Sequence, residues 1–190
     1  LIHYGATFAV TFQISLYLQY IKGMPPRTAG LVLMVQPVLM TIFSTPAGRL
    51  SDRLEPRLLA SSGMALTALG LTVFVLLGPE TPIWQVAGNL ALLGFGFALF
   101  SSPNMSAIMG SVERQQYGLA SGTVATMRLL GQMGSMTAAT IFLSLFVGRE
   151  AIGPENYPRF LASMHACFLF FVLLCTVGIV FSLLRGSLRK

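Results

Sequence analysis

Charge is what this sequence has least of. Asp, Glu, Lys and Arg make up 9% of its 190 residues, where a soluble domain carries roughly 25% because its surface faces water. A chain so poor in charge must turn most of its surface toward another medium, and lipid fits. The acidic side is the scarcer one. Its six carboxylates, Asp52, Glu55, Glu80, Glu113, Glu150 and Glu155, all fall between apolar runs. No Ser-His-Asp, phosphate-cradling or paired-carboxylate arrangement appears. An integral-membrane enzyme usually shows embedded His or Asp residues, so no enzyme and no cofactor are expected. Cysteine is almost missing as well. Cys167 and Cys175 stand eight residues apart in one expected helix, ~12 Å along its axis and beyond disulfide reach, so they read as small apolar residues. His3 and His165 sit near the ends of apolar runs without acidic or cysteine partners at ligand spacing, and no metal is expected. An initiator methionine and a signal peptide are also missing, from which a fragment with its remainder upstream is expected.

What is present is apolar length. Hydrophobic residues make up 54% of the chain, the mean hydropathy is +0.74, and 19 glycines suit close helix packing in a bilayer. A membrane-crossing helix needs roughly 20 predominantly apolar residues. Six stretches qualify: 4–21, 29–48, 58–77, 84–109, 119–147 and 160–184. The breaks are short and rich in Gly and Pro, and leave no room for a soluble domain. The expectation is an all-α integral membrane protein, a single six-helix transmembrane bundle over residues 1–190. The runs are continuous rather than alternating, which argues against a β-barrel. Basic residues are scattered at span ends, so membrane topology accounts for them better than a nucleic-acid surface does. The side holding both chain ends collects seven of them, against four on the other. The positive-inside rule therefore places both ends in the cytoplasm of a multi-pass cell-membrane protein. Trp84, Tyr157 and Tyr20 then mark the outer interface, where amphipathic rings prefer to sit.

Few side chains depart from this apolar background, and they are the site candidates. The second break, Arg49 to Arg57, contains Arg49, Asp52, Arg53 and Arg57, with Gly48 just before it. Gly48 permits close backbone approach. A carboxylate among arginines can pair with one of them and accept from a neighbouring helix N-terminus. Two readings fit: a clasp that holds one conformation and must break in another, or a basic loop whose Asp52 merely trims the charge. Arg128 is the one charge inside an apolar stretch. An embedded arginine is costly and should face protein or water. Ser121, Ala125, Arg128, Gln132, Ser135 and Ala139 share its helical face, with Leu119, Leu130, Met133 and Ile141 opposite. A cavity or pathway role and a structural role both fit Arg128; its depth toward the cytoplasm favours a structural or gating one. Gln13 and Tyr17 share a face of the first stretch. Gln13 falls near the midplane, where transporters place substrate, or else makes an interhelical hydrogen bond. Gln36-Pro37 and Pro103-Asn104 interrupt helices, since proline frees a carbonyl one turn back that a polar neighbour can satisfy. Pro37 and Pro103 are thus candidate bends, and Gln36 and Asn104 candidate cavity residues. Gly94, Gly96, Gly118 and Gly122 most simply mark tight helix contacts.

Gly48-Arg-Leu-Ser-Asp-Arg53 with Pro56-Arg57 resembles the G-x-L-a-D-R loop motif of the major facilitator superfamily, between the second and third spans of a six-span half. Three further segments are similar to its drug:proton antiporter branch, often built with fourteen spans. They are Leu16-Tyr-Leu-Gln-Tyr-Ile-Lys-Gly23 leading to Ala29-Gly30, Ser102-Pro-Asn-Met-Ser-Ala-Ile-Met-Gly110, and Gly118-Leu-Ala-Ser-Gly122 with Arg128 and Gly131. The four stand in order along essentially the whole chain, with Glu55 a departure where many relatives carry glycine or a small residue. The resemblance implies the C-terminal half of a proton-coupled exporter of amphipathic compounds, working by alternating access against an N-terminal half. It also implies a gating role for Asp52, supported by Arg49 and Arg53. No embedded carboxylate is expected here, so the coupling acid is expected in the other half. Transport of another solute such as a sugar, siderophore or metabolite, and a non-transporting receptor or scaffold, are the alternatives.

Overall fold

The computed structural model describes residues 2–148 and 152–184; the side chains at 52, 53, 56, 57, 183 and 184 lie outside that description. Every regular element among the described residues is helical. α1 (Ile2–Leu16) continues as a π-helical turn, Tyr17–Ile21. α2 (Pro26–Leu33) and α3 (Val35–Arg53) follow one another across Met34. α4 (Pro56–Val75), α5 (Ile83–Gly110), α6 (Tyr117–Phe146) and α7 (Tyr157–Leu184) complete the chain. With α2 and α3 counted together, these make six rods in a membrane-type bundle. Five stretches are long and apolar enough to cross a membrane: 26–51, 58–75, 83–110, 114–146 and 154–182. The first rod, 15 α-helical residues and a π turn, is not among them, so five of the six expected stretches meet that measure.

Local chemistry explains where the rods begin and end. Pro26 and Pro56 open α2 and α4, where the missing N–H costs nothing and the fixed φ suits a first turn. Gly23 and Gly148 follow the ends of the first and fifth rods with φ of 62° and 77°, left-handed values that other residues resist. The turn between α3 and α4 is much tighter than the expected Arg49–Arg57 break. Nothing from Arg49 to Arg53 interrupts a helix, so α3 runs to Arg53. Leu54 and Glu55 then take extended backbone, because Pro56 disfavours helical geometry in the residue before it. The α2–α3 interruption at Met34 has a similar origin. Pro37 has no N–H to offer the Leu33 carbonyl, while bonds from Met34 N to Gly30 O (3.0 Å) and Val38 N to Met34 O (3.1 Å) continue on either side. Pro103 leaves α5 unbroken from Ile83 to Gly110.

The core forms where α1 meets α4 and α7. Ala6, Ala9, Val10, Ile14 and Leu18 pack with Leu71 and Phe74 of α4 and with Phe160, Met164, Phe168 and Cys175 of α7, all essentially buried. The Phe74 and Phe168 rings stack with centroids 5.6 Å apart. α5 approaches α4 through backbone. A Cβ at Gly63 would lie 2.6 Å from the Gly96 carbonyl oxygen, and one at Gly94 would strike the Gln36 carbonyl of α3. Gly94 and Gly96 therefore do sit at tight contacts. Gly118 and Gly122 do not: a Cβ on either meets nothing within 4 Å among the described residues. Sequence spacing marks a smooth helix face, but it cannot say whether another helix lies against it.

The bundle is unevenly covered. α6 buries Gly131, Ser135 and Ala139, which meet α1 around Gly5, while Leu119 and Leu145 are 76% and 74% exposed. α2 and α3 likewise expose Leu31, Val38 and Ile42. Most threonines on these rods bond back to the carbonyl one turn earlier, as Thr123 does to Leu119 O at 2.9 Å. That satisfies a hydroxyl where the surroundings offer no water. At the end of the bundle holding the α4–α5 turn, three side chains capture carbonyls just beyond α4. Tyr17 donates to Gly78 O at 2.8 Å, His165 Nε2 lies 2.8 Å from Leu77 O, and Lys22 Nζ donates to Pro79 O.

Candidate functional site

The opposite end, holding the α3–α4 turn, is where polar side chains gather around open space. α5 arrives with Ser101, Ser102 and Ser106 after a long apolar stretch. α6 stands off from α5, and between them opens a cleft of about 410 Å³. Ser44 and Met40 of α3, the three α5 serines with Met105, Ser121 and Arg128 of α6, and Tyr4 of α1 line it. The Arg128 guanidinium carbon lies 5.9 Å from the centre of the Tyr4 ring, within cation–π range. Tyr4 Oη in turn lies 3.4 Å from Ser101 Oγ. A second cleft, about 460 Å³, lies beyond Tyr4 and is more apolar, with Asn104, Ile108, Leu119, Thr123 and Met127 along it.

The sequence candidates divide among three places. Arg128 and Asn104 line the clefts. Gln13, Tyr17 and Gln36 do not. Gln13 is fully buried beside the Cys167 thiol, with neither amide atom in hydrogen-bond geometry. Tyr17 is fully buried with its hydroxyl committed to Gly78. Gln36 is buried where its backbone meets Gly94. Helical faces place all three inward, but whether inward means cavity or packed core depends on how closely the next helix approaches. Gln132 is half-buried, and its carbonyl accepts from Ser135 Oγ at 2.7 Å. The Arg128 face is split in the same way: Ser121, Ala125 and Arg128 line the cleft, while Ser135 and Ala139 are buried.

The gate candidates occupy the last turns of α3 and the first turn of α4. A Cβ at Gly48 would lie 2.9 Å from Ser102 Oγ, so α3 passes close to α5 beside the serine-lined cleft. Arg49 is exposed. The side chains of Asp52, Arg53 and Arg57 lie outside the described residues, as do Arg149, Glu150, Arg185, Arg189 and Lys190. Tyr4 and the α5 serines are site residues that sequence reasoning passed over. The signal was a run of small hydroxyl residues late in an otherwise apolar helix, and nothing in the sequence pairs it with Tyr4 from 97 residues earlier. Among the described residues no group of three or more His, Cys, Asp or Glu could hold a metal ion.

Among the described residues the chain is an all-helical bundle with five stretches long and apolar enough to cross a membrane and with clefts between its rods, which defines a multi-pass membrane protein. The chain belongs to the Major Facilitator Superfamily, whose family model matches residues 1–189. It is 31% identical over 147 residues to the riboflavin transporter RibZ of Clostridioides difficile, covering 77% of this chain and 31% of that protein. It is 34% identical over 148 residues to the methyl viologen resistance protein SmvA of Salmonella typhimurium, covering 73% of this chain and 29% of that protein. It is 26% identical over 160 residues to the multidrug resistance protein Stp of Mycobacterium tuberculosis, covering 81% of this chain and 30% of that protein. The chain thus spans about a third of the length of these relatives.

Proposed function

We propose that this chain is the C-terminal six-helix half of a secondary transporter that exports small amphipathic compounds in exchange for protons by alternating access. The observation that carries the reading is the pair of clefts against α6, one of them holding Arg128, on a bundle whose α3 and α6 faces are left uncovered. Those faces suit an N-terminal half rocking against this one around a shared pathway. Relatives named for multidrug and methyl viologen resistance support drug efflux; the one named a riboflavin transporter supports the second reading, transport of a metabolite. The basic residues, seven at the end bearing both termini and four at the other, support a plasma or inner membrane orientation with both ends cytoplasmic. The coupling carboxylate belongs to the N-terminal half, since all six carboxylates of this chain lie outside its apolar runs. Gly48, Arg49, Asp52, Arg53 and Arg57 form the cytoplasmic gate, whose making and breaking accompanies each cycle.

The test is reconstitution of the whole protein in proteoliposomes with an imposed pH gradient and ethidium or methyl viologen as cargo. Gradient-dependent movement, lost when the gradient is collapsed, is expected. Movement indifferent to the gradient removes proton coupling. No movement of these cargoes, with riboflavin carried instead, replaces drug efflux by the metabolite reading. This segment reconstituted alone is expected to carry nothing, and robust flux from it would overturn the division into halves.

A further inference from the structure

Among the described residues, the cleft at Arg128 holds a positive charge and no carboxylate lines it. Among the described residues no carboxylate pairs with this guanidinium, and its recorded neighbour is the face of Tyr4. An arginine placed in an apolar span is costly, and such residues persist where the charge is used. The surrounding hydroxyls are unusual as well. Elsewhere on the rods threonine and serine hydroxyls mostly bond back to their own helix, as with Thr41 to Pro37 O and Ser51 to Gly48 O, both at 2.8 Å. Ser102, Ser106 and Ser121, in the cleft wall, make no hydrogen bond among the described residues. Donors that ordinarily fold back onto the backbone are left facing the space beside a cation that has no carboxylate partner among the described residues.

From this we infer that the cleft binds the carboxylate of a small amphipathic monoanion. Arg128 supplies a planar fork of N–H donors that matches a carboxylate's two oxygens. Ser102, Ser106 and Ser121 supply hydroxyl donors around the same space. The Tyr4 ring lies within cation–π range of the guanidinium. Arg128 is the one cation lining the cleft among the described residues, so a singly charged anion is balanced, whereas a dianion leaves charge uncompensated. Met40, Met105 and Val124 give the remaining wall an apolar surface for the body of the solute. A volume of about 410 Å³ suits a compact one- or two-ring molecule. The inference rests on the transporter reading in one respect, that the bound anion is cargo; binding itself requires only the cleft.

The test compares 2-naphthoate with its neutral counterpart 2-naphthamide on the whole protein, by calorimetric titration in detergent and by flux in proteoliposomes. The wild type is expected to bind the acid at least tenfold more tightly than the amide, the order of a charge-assisted hydrogen bond. Arg128→Gln is expected to abolish that preference and leave amide affinity unchanged. Arg128→Lys should keep part of it, because the charge stays and the fork is lost. Ser102→Ala with Ser106→Ala should weaken the acid alone. Equal affinities in the wild type overturn the proposal, and this comparison stands whether or not any variant folds. A preference that survives Arg128→Gln overturns it too. Acid-selective binding without flux of either probe upholds the anion site and counts against transport. Flux of ethidium without acid selectivity upholds transport and overturns the anion site.

Discussion

The approach of α4 to α5 through Gly63 and Gly96 yields the sharpest quantitative prediction. In Gly63→Ala the new Cβ would lie 2.6 Å from Gly96 O, 2.7 Å from Phe100 N and 3.0 Å from Leu99 C. All three are backbone atoms, so no rotamer change relieves the overlap, and the helices must move apart by several tenths of an ångström. Overpacking of this kind costs ~1–3 kcal/mol. Alanine regains up to ~1 kcal/mol over glycine in a helix interior. A net loss of about 1–2 kcal/mol follows, which at ~1 °C per kcal/mol for a whole protein about three times the length of this chain lowers the melting temperature by roughly 1–2 °C. Gly134→Ala is the matched control, since its Cβ meets nothing within 4 Å among the described residues. It should gain the propensity term alone and melt unchanged or slightly higher. The assay is thermal unfolding of the whole protein in detergent, followed by monodispersity in size-exclusion chromatography. If the two alanines shift the midpoint by the same amount in the same direction, the backbone contact does not hold these helices together and the reasoning fails.

Other expectations can be checked in the same format. Gln13→Leu removes a buried amide that lies beside the Cys167 thiol without hydrogen-bond geometry to any described residue and keeps much of its volume, so it should stabilise the fold by ~1 kcal/mol; a lower melting point would mean that the amide is satisfied, by the thiol or otherwise. Tyr17→Phe leaves the Gly78 carbonyl without its 2.8 Å donor and should cost ~0.6–1.5 kcal/mol; unchanged melting would make that bond dispensable. Asn89→Ala removes the buried 2.8 Å bond to Gly70 O between α5 and α4 and should cost a similar ~0.6–1.7 kcal/mol. Under the gating proposal, Asp52→Asn should lower proton-driven flux of the whole protein about tenfold or more, with expression and melting preserved. Wild-type flux in that variant would leave Asp52 as a charge-trimming loop residue.

Much of the fold could be read in advance because lipid imposes a simple rule. Backbone polar groups must be satisfied within each segment, so apolar length alone points to rods, and Pro and Gly point to their ends. The π turn at Tyr17–Ile21 was not legible, since it depends on how α1 fits its neighbours. Nor was the length of α3, which Pro56 terminates two residues after Arg53. Within the candidate site, Arg128 stood out because charge is costly in an apolar span. Tyr4, Ser101 and Ser106 did not, because a hydroxyl in such a span is commonplace and usually bonds to its own helix.

Composition and pattern by themselves determined that this chain is helical and membrane-embedded, because hydrophobic length and scarce charge are properties of the residues alone. Which inward faces are core and which are cleft belonged to the tertiary structure. Gln13, Tyr17 and Arg128 were all candidates for a cavity or pathway, with other readings open, yet α4 and α7 close over the first two, while α6 stands away from α5 and leaves the third beside open space. Glycine spacing shows the same limit. Gly94 and Gly96 meet a neighbouring backbone, whereas Gly118 and Gly122 meet nothing described. A smooth helix face permits close approach, but only the arrangement of the other helices decides whether that approach occurs.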